Sequence, residues 1–353
     1  MYRIDIYVLS TDFKKLDIID YCASVIWTRR YCKAGDFELY LPITATAITI
    51  LKPGNYLVRS DAPDSLMVIQ GVKITTDEED GDYLTVTGQG AEITIAKRIV
   101  WTQTNLNGTI TAAVHRLLNE NLIAPTDAAR KIAGVEIGDC CQCATIVKKQ
   151  ITGTNLLDTI IDLLSPYKLG FKVIFSGSSL KFCIYNGVDR SANQSDRPRV
   201  VFSADFDNLL ASEYTADISA YKSIALVAGE GEGVQRKTYT VGSASGLDRI
   251  ETYVDARDIS SEVDGGKLTT AEYNELLKAK GVEALAETVI IQSFEGTIEP
   301  TVNYTFGVDY ELGDIIQITN EYGITAPARI TEVIESWSDT GYNCIPTFSS
   351  EEV

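Results

Sequence analysis

Three cysteines in four positions, Cys140, Cys141 and Cys143, are the first residues in this chain whose spacing suggests chemistry. Thiolates bind zinc strongly, so such a run could supply ligands. Successive side chains on an extended segment point to opposite faces, however, so three ligands from one run rarely converge. We therefore expect reduced, partly buried thiols here and predict no metal site.

A glycine-rich stretch, Gly229–Gly233, follows the apolar run Ile224–Val227 and has the composition of a phosphate-binding loop. Its two glutamates, Glu230 and Glu232, would repel a phosphate, and the lysine and hydroxyl residue of a P-loop do not follow. The stretch is more typical of a flexible hairpin turn. The sequence therefore predicts no bound cofactor.

His115 is the single histidine of the chain, which argues against multi-histidine metal sites and histidine-based relays. It lies on a predicted amphipathic helix, where a partly buried or surface histidine is more common than a catalytic base. Because 49 acidic residues make carboxylate pairs available at any spacing, no pair is diagnostic of glycoside hydrolysis. With no serine nucleophile motif either, we predict no catalytic residues and no enzyme.

Trp27, Arg29, Arg30 and Tyr31 form a compact basic and aromatic group near the start of the chain. Such residues can stack on nucleic-acid bases. A net charge of −18 lacks the basic footprint that nucleic-acid binding needs, so we predict no stable nucleic-acid binding. Arginines also make bidentate contacts to carboxylates, within a fold or across subunits. These four residues are our interface candidates, with packing inside one domain as the alternative.

The acidic balance also disfavours adhesion to anionic membranes. No apolar run in the sequence reaches the length of a membrane span, and no secretory signal precedes the first predicted strand. We therefore expect no membrane insertion. The seven cysteines are expected to be reduced thiols in a cytosolic product.

Residues 1–98 alternate like β-structure and are predicted to form a barrel-like β-domain. The period-two run Asp36–Leu41 is a predicted strand with one apolar face. Leu66–Ile69 and Val72–Ile74 are predicted to be two paired strands. The acidic residues 79–82 are typical of a hairpin turn.

Residues 99–198 are predicted to be an inserted small α+β domain. Thr109 and Thr154 are suited to cap two amphipathic helices within it. A strand hairpin is predicted over residues 170–185. The polar, turn-rich residues 186–198 are interpreted as a linker.

Residues 199–353 are predicted to be a second barrel-like β-domain with one helix, which begins at the capping box Thr269–Glu272. A weak internal repeat relates Pro53–Val58 to Leu312–Ile318, each followed by a predicted strand pair and a polar turn. Duplication and chance similarity between β-hairpins are both open at this point. The predicted fold is α+β and β-dominated, with two related barrel-like β-domains and an inserted small α+β domain.

Several blocks near the two ends of the chain occur in a characteristic order. They are Val25–Tyr31, Gly35–Pro42, a helix over Ala271–Thr288, Val308–Ile316, Ala328–Val333 and Tyr342–Phe348. In this order they resemble the tail hub proteins of siphophages, prophages and phage-tail-like bacteriocin particles of Gram-positive bacteria. The middle of the chain, about 100–200, carries little of the resemblance.

The resemblance implies a structural baseplate hub, similar to that of contractile tails, that closes the distal end of a tail tube and anchors a tip or spike. It implies a homotrimer whose six similar domains form a ring matching a six-fold tube. The implied partners are a tail tube or distal tail protein, a spike or tip protein and a tape-measure protein. The implied location is a virion or tail-like particle assembled in the bacterial host cytoplasm.

Two other functions stay open at this point. Tail proteins also include cell-wall hydrolases, whose lytic domains are often C-terminal extensions. Because this sequence stops at Val353, directly after a hub-like block, we expect no such domain. The second alternative is a carbohydrate-binding adhesin, which would have measurable affinity for glycans as an isolated chain.

Overall fold

The computed structural model describes residues 4–77, 81–263, 266–288, 291–298 and 303–350. The predicted turn over 79–82 lies partly outside these residues. The elements of the first third are β1 (Ile6–Leu9), β2 (Lys15–Ile19), β3 (Ser24–Arg30), β4 (Asp36–Pro42), α1 (Ala45–Ile50), β5 (Tyr56–Arg59), β6 (Ala62–Asp77) and β7 (Gly81–Gly90).

Strand β4 shows why the first third folds as a sheet with one buried face. Phe37, Leu39 and Leu41 are buried, whereas the residues between them are exposed. This is the alternation expected of a half-buried strand. Trp27 of the neighbouring strand β3 belongs to the same core. The predicted strand and its apolar face are therefore confirmed.

The prediction of two paired strands between residues 66 and 74 is wrong. Leu66–Ile69 and Val72–Ile74 lie in the single strand β6, which pairs with β7 from Met67 to Asp77. The register shifts between Ile69 and Gly71, where one extra residue forms a β-bulge. Gly71 directly follows the extra residue, and a glycine within a strand often marks such a bulge.

The middle third contains β8 (Thr104–Thr109), α2 (Ile110–Leu118), β9 (Val135–Ile137), β10 (Ile146–Ile151), α3 (Leu156–Leu164), β11 (Gly170–Phe175) and β12 (Leu180–Tyr185). Thr109 caps α2 as predicted. The cap predicted at Thr154 is wrong, because the Asn155 side chain accepts the first backbone N–H groups of α3 instead. Strands β11 and β12 form the predicted hairpin.

The last third contains β13 (Val201–Ser203), β14 (Leu209–Asp217), β15 (Ile224–Ala228), β16 (Thr238–Val241), β17 (Glu251–Asp255), β18 (Glu262–Val263), β19 (Gly266–Lys267), α4 (Thr270–Ala286), β20 (Ile291–Ile298), β21 (Ile315–Thr319), β22 (Thr325–Ser338) and β23 (Gly341–Ser350). The capping box at Thr269 and Glu272 begins α4 as predicted. Helix α4 packs on the small sheet β16-β15-β17 and encloses a core of its own.

The two ends of the chain repeat one strand arrangement. In the first third the neighbouring strands run β3-β4-β7-β6-β5-β1. In the last third they run β14-β20-β23-β22-β21-β13. We call these six-strand sets the N-terminal repeat and the C-terminal repeat. They differ at their last strand, since β1 is antiparallel to β5 whereas β13 is parallel to β21.

Local geometry supports duplication over chance similarity. Gly54 donates its N–H to Ile69 O at 2.8 Å, and Gly313 donates to Ile330 O at 2.8 Å. Both glycines have positive φ, +96° and +93°. Ile69 and Ile330 are each followed by a one-residue bulge, in β6 and in β22. The two repeats share a turn, a strand register and a bulge, so the two β-rich parts of the chain are related, as predicted.

The repeats join into one sheet because β3 of the N-terminal repeat pairs with β22 of the C-terminal repeat. The middle third lies against the N-terminal repeat, since Val58 of β5 and Leu66 of β6 belong to the hydrophobic core of the middle third. The β-dominated α+β fold is thus confirmed. The domain boundaries near 98 and 198, and closure of either repeat into a barrel, stay predictions.

The predicted linker is fixed on the C-terminal repeat over its first half. Asp189 forms a β-bridge with Ile315, and Ser191 is fully buried. Arg190 pairs with Asp314 at 2.7 Å. The segment connects the middle third to β13 and packs beside β21. Its polar residues therefore make specific contacts and do not form a flexible linker.

Candidate interface between the two repeats

The candidate residues Trp27, Arg29 and Arg30 lie on β3, and Tyr31 directly follows that strand. Strand β3 is where the repeats meet, so all four lie at the junction. In the β3–β22 register Trp27 is opposite Glu335, and Arg30 is opposite Glu332. The residues therefore join the two ends of one chain.

Glu335 is the acceptor at the centre of this junction. Its Oε2 accepts hydrogen bonds from Arg29 Nη2 at 2.6 Å and from Arg59 Nη1 at 2.7 Å. Its Oε1 accepts from Arg59 Nη2 at 3.2 Å and from the Tyr342 hydroxyl at 3.1 Å. Two guanidinium groups thus share one carboxylate, with Arg59 bound in bidentate geometry.

Arg59 is almost completely enclosed, with 2% of its surface exposed. Its guanidinium lies over the rings of Trp337, at 4.3 Å, and Trp27, at 5.6 Å. Its Nε and Nη2 also donate to Asp61, at 2.9 and 2.6 Å. A buried cation with two carboxylates and two indole rings is fully partnered, as a charge in a dry environment must be.

The Glu335 carboxyl experiences two opposing effects. Burial would raise its pKa, but the charges and hydrogen bonds of Arg29 and Arg59 outweigh burial, so its pKa lies below the ordinary value. The carboxylate is therefore ionised throughout the neutral range. An ion pair between residues so distant in sequence fixes the repeats to each other, and losing one partner leaves a buried charge unpaired.

Arg30 forms a second, more exposed set of ion pairs at the same junction. It binds Glu332 on β22 and Asp36 at the start of β4. It also donates to Ala34 O at 3.0 Å. The Arg29 and Arg30 side chains are each 27% exposed, so of the four candidates these two retain surface that another chain could contact.

Tyr31 connects all three parts of the chain. Its hydroxyl donates to Lys168 O at 3.0 Å, and it accepts from the Gly187 N–H at 3.3 Å. Its ring packs edge-on against Tyr185 at 5.1 Å. A Cβ on Gly170 or Gly313 would approach this ring within 2.2 or 2.3 Å, so only glycine fits at either place. Tyr31 therefore requires glycines from the middle third and the C-terminal repeat.

Sequence reasoning missed three important charged residues, Arg59, Asp314 and Glu335. Asp314 accepts hydrogen bonds from Val188 N at 2.7 Å and Glu311 N at 3.0 Å, besides its ion pair with Arg190. One signal was available for Arg59, since it is a charge ending an apolar strand. Glu335 had the complementary signal, since it lies between residues of a long alternating strand.

The residues first considered for chemistry lie apart from this junction. Cys140, Cys141 and Cys143 are partly buried, and the Cys140 sulfur accepts the Ile184 N–H at 3.1 Å. Across the described ranges, no three residues of metal-binding type come together. Burial lowers the pKa of His115.

Gly229–Gly233 forms the first part of the connection between the antiparallel strands β15 and β16, where a hairpin turn was predicted. Its Glu230 N–H donates to the Tyr273 hydroxyl of α4 at 2.8 Å, and its Glu230 carboxylate accepts from Ser261. The loop is thus held against its own small core. Among the helices that the structure describes, none is long and apolar enough to cross a membrane.

The junction borders a cavity of about 660 Å³ whose walls come from the middle third and both repeats. Its lining contains both basic and acidic side chains, for example Arg59, Lys172, Glu92 and Glu311. Most of these charges already have protein partners. The arrangement positions the repeats and the middle third by ion pairs and hydrogen bonds.

Solved tail proteins share this fold. A tail protein from Neisseria meningitidis MC58 matches with a TM-score of 0.60 at 11% identity, covering 99% of this chain and 97% of that one. The 43 kDa tail protein of prophage MuSo2 from Shewanella oneidensis matches with a TM-score of 0.61 at 12% identity, over 99% and 98%. At such identities the likeness shows the fold alone.

The sequence itself matches the family described as Siphovirus ReqiPepy6 Gp37-like protein over residues 5–348. The chain belongs to this siphovirus tail-protein family, as its resemblance to tail hub proteins led us to expect. Among curated proteins, none matches the sequence. The prophage tail protein gp18 from Listeria monocytogenes EGD-e also shares the fold, with a TM-score of 0.53 at 13% identity over 98% and 94% of the two chains.

Proposed function

We propose that this chain is a structural hub at the distal end of a phage or phage-tail-like tube, where it closes the tube and anchors the tip or spike. The observation that carries the proposal is the duplication. One chain presents two copies of the same six-strand arrangement, joined side by side through β3 and β22. Three such chains would present six similar units around one axis.

The proposed assembly is a homotrimer, which would mate a three-fold tip with a six-fold tube. Within it, residues 1–98 and 199–353 act as the two hub domains and residues 99–198 as the inserted domain. The proposed partners are a tail tube or distal tail protein, a spike or tip protein and a tape-measure protein. Support for a tip-side partner comes from a solved chain of the PdpA–VgrG complex, with a TM-score of 0.52 at 10% identity over 99% of this chain and 66% of that one.

We place the protein in the virion or tail-like particle, after assembly in the host cytoplasm, and in a non-enzymatic role. Membership of a tail-protein family supports a virion location. The candidate residues act mainly between the repeats, with Trp27 and Tyr31 buried there. We propose that the exposed parts of Arg29 and Arg30 contact a neighbouring subunit.

The experiment is to locate the chain in assembled particles. A small epitope tag placed in the exposed loop at Gly246 would be labelled with antibody and imaged by electron microscopy. Label at the distal end of the tube supports the hub, whereas label along the tube or at peripheral fibres contradicts it. Wall-lytic activity of the purified chain, abolished by one acidic substitution, would favour a hydrolase. Glycan affinity of the isolated chain would favour an adhesin.

A further inference from the structure

The pairing of β3 with β22 joins the two repeats, but the two strands that correspond to them do not pair with each other in the described residues. Because the repeats correspond strand by strand, β14 corresponds to β3 and β6 corresponds to β22. Strands β3 and β22 pair with each other inside the chain. Strands β14 and β6 do not, since six other strands separate them along the sheet.

The residue correspondence follows from the pairing registers. Directly after the bulges, Gly71 pairs with Thr87 and Glu332 pairs with Thr347, so Gly71–Asp77 corresponds to Glu332–Ser338. Aligning β4 with β20 through their partners β7 and β23 places Ala211–Asp217 on Ser24–Arg30. Both segments have the seven-residue length of the existing junction.

Each corresponding segment has one open edge. Strand β14 is the outermost strand of the sheet, and every residue from Leu210 to Asp217 is exposed. Beyond its bulge, β6 pairs with β7 on one side, and within the described residues no strand lies on the other side. Lys73, Ile74, Thr75 and Thr76 are exposed there. Open edges of this length invite pairing with another strand.

We propose that β14 of one copy of this chain pairs antiparallel with β6 of a second copy and so repeats the β3–β22 junction between subunits. In the chain, Arg30 is opposite Glu332 and Ser24 is opposite Ser338. Transferring that register places Asp217 opposite Gly71 and Ala211 opposite Asp77. It also places Tyr214 opposite Ile74 and Ser212 opposite Thr76.

The side chains brought together by this register are complementary. Ile74, 53% exposed, and Tyr214, 36% exposed, would cover each other as a directly opposed aromatic and β-branched pair. On the other face Lys73 would be opposite Thr215 and diagonal to both Glu213 and Asp217. Opposite charges at diagonal positions on one face attract, whereas a register shifted by one residue would move these side chains to opposite faces.

The proposed contact is head-to-tail, because it uses two different edges of the chain. Such contacts build closed rings or open filaments, depending on the rotation between copies. That the ring closes at three chains rests on the function proposed above. The contact itself rests on the duplication, so the two ideas can fail separately.

The test is disulfide cross-linking of a double variant, Thr76→Cys with Ser212→Cys, both in the purified chain at its highest soluble concentration and in assembled particles. We expect covalent multimers up to the trimer under oxidation, detected on non-reducing gels and reversed by reductant. The matched control combines Thr76→Cys with Glu213→Cys, which moves one thiol to the opposite strand face. Each single variant and the wild-type chain, with its seven native cysteines, should remain monomeric on the gel.

A second variant tests the same contact without cysteine. Tyr214→Asp places an uncompensated charge against Ile74 and should weaken self-association by about tenfold or more. Leu226→Asp, at an exposed position on β15, should leave self-association unchanged. Association is measured by native mass spectrometry over a concentration series.

A trimer by mass without register-specific cross-links would overturn the proposed contact and leave the hub intact. Absence of cross-linked species in both samples, or equal cross-linking in the mismatched control, would also overturn the contact. If register-specific cross-links form but the protein lies off the tail axis, the contact is supported and the proposed hub function is contradicted.

Discussion

Replacing Glu335 by glutamine should be among the most damaging single substitutions in this protein. The change preserves volume but removes the negative charge that Arg29 and Arg59 share at 2.6 and 2.7 Å. Arg59 is 2% exposed and would keep Asp61 as its only carboxylate partner among the described residues. Breaking a buried ion pair lowers the free energy of unfolding by about 3–5 kcal/mol. Because Arg59 keeps its contact with Asp61, we expect a loss near the lower end, about 3 kcal/mol.

The assay is urea unfolding followed by tryptophan fluorescence, since Trp27 and Trp337 both lie over Arg59 and report on the junction. The matched control is Glu120→Gln, which removes an exposed ion pair with Arg116 at 2.7 Å on α2 and the turn after it. Exposed pairs of this kind contribute about 0.3–0.5 kcal/mol. Equal small losses in the two variants would refute the central role of Glu335.

The pH dependence supplies an independent check on the same residue. The pKa of Glu335 is lowered in the folded protein, so its contribution to stability is present above its ordinary pKa and is lost as the pH falls through the lower, folded value. The wild-type chain should therefore lose stability below about pH 4.5 more steeply than Glu335→Gln does. Parallel acid unfolding curves would contradict this.

Two further predictions concern the surroundings of the junction. Gly313→Ala should cost about 2–4 kcal/mol in urea unfolding, because φ is +93° and the new Cβ would lie 2.3 Å from the Tyr31 ring. The control is Gly307→Ala, where φ is +82° and no atom lies within 4 Å of the new Cβ, so only the backbone strain is added. It should lower the free energy of unfolding by about 1 kcal/mol. Equal losses of stability in the two variants would contradict a steric contribution from Tyr31. Burial raises the pKa of Glu92 to about 7, so the wild-type chain should gain stability as the pH falls from 8 towards 5. Glu92→Gln should reduce that slope and stabilise the protein at pH 8 by at most about 3 kcal/mol, and an unchanged slope would refute the assignment.

Local patterns in the sequence predicted much of the fold. The alternation in β4 and the capping residues Thr109 and Thr269 depend on neighbours within a few positions, so they could be identified directly. Asn155 replaced Thr154 as a cap because both side chains are suitable and only the geometry selects one. The bulge after Ile69 was missed because a glycine in a strand and a glycine in a turn look alike in sequence.

The junction was less accessible to sequence reasoning, for a physical reason. The stretch from Trp27 to Tyr31 was identified, but its partners lie on strands some 300 residues later, as the separations of 306 for Arg29–Glu335 and 302 for Arg30–Glu332 show. Ion pairs of such range depend on which strands become neighbours. The weak repeat around Gly54 and Gly313 indicated two units with one strand order, but it did not indicate that β3 of one unit would pair with β22 of the other.

An electron cryomicroscopy map of the assembled particle at the end of its tail tube would show directly whether this chain is the hub. We expect three copies of this chain in a ring on the tube axis, with the N-terminal and C-terminal repeats alternating as six similar units. This expectation would be contradicted by six or more copies off the axis, or by a ring in which the two repeats lie at different radii and do not alternate.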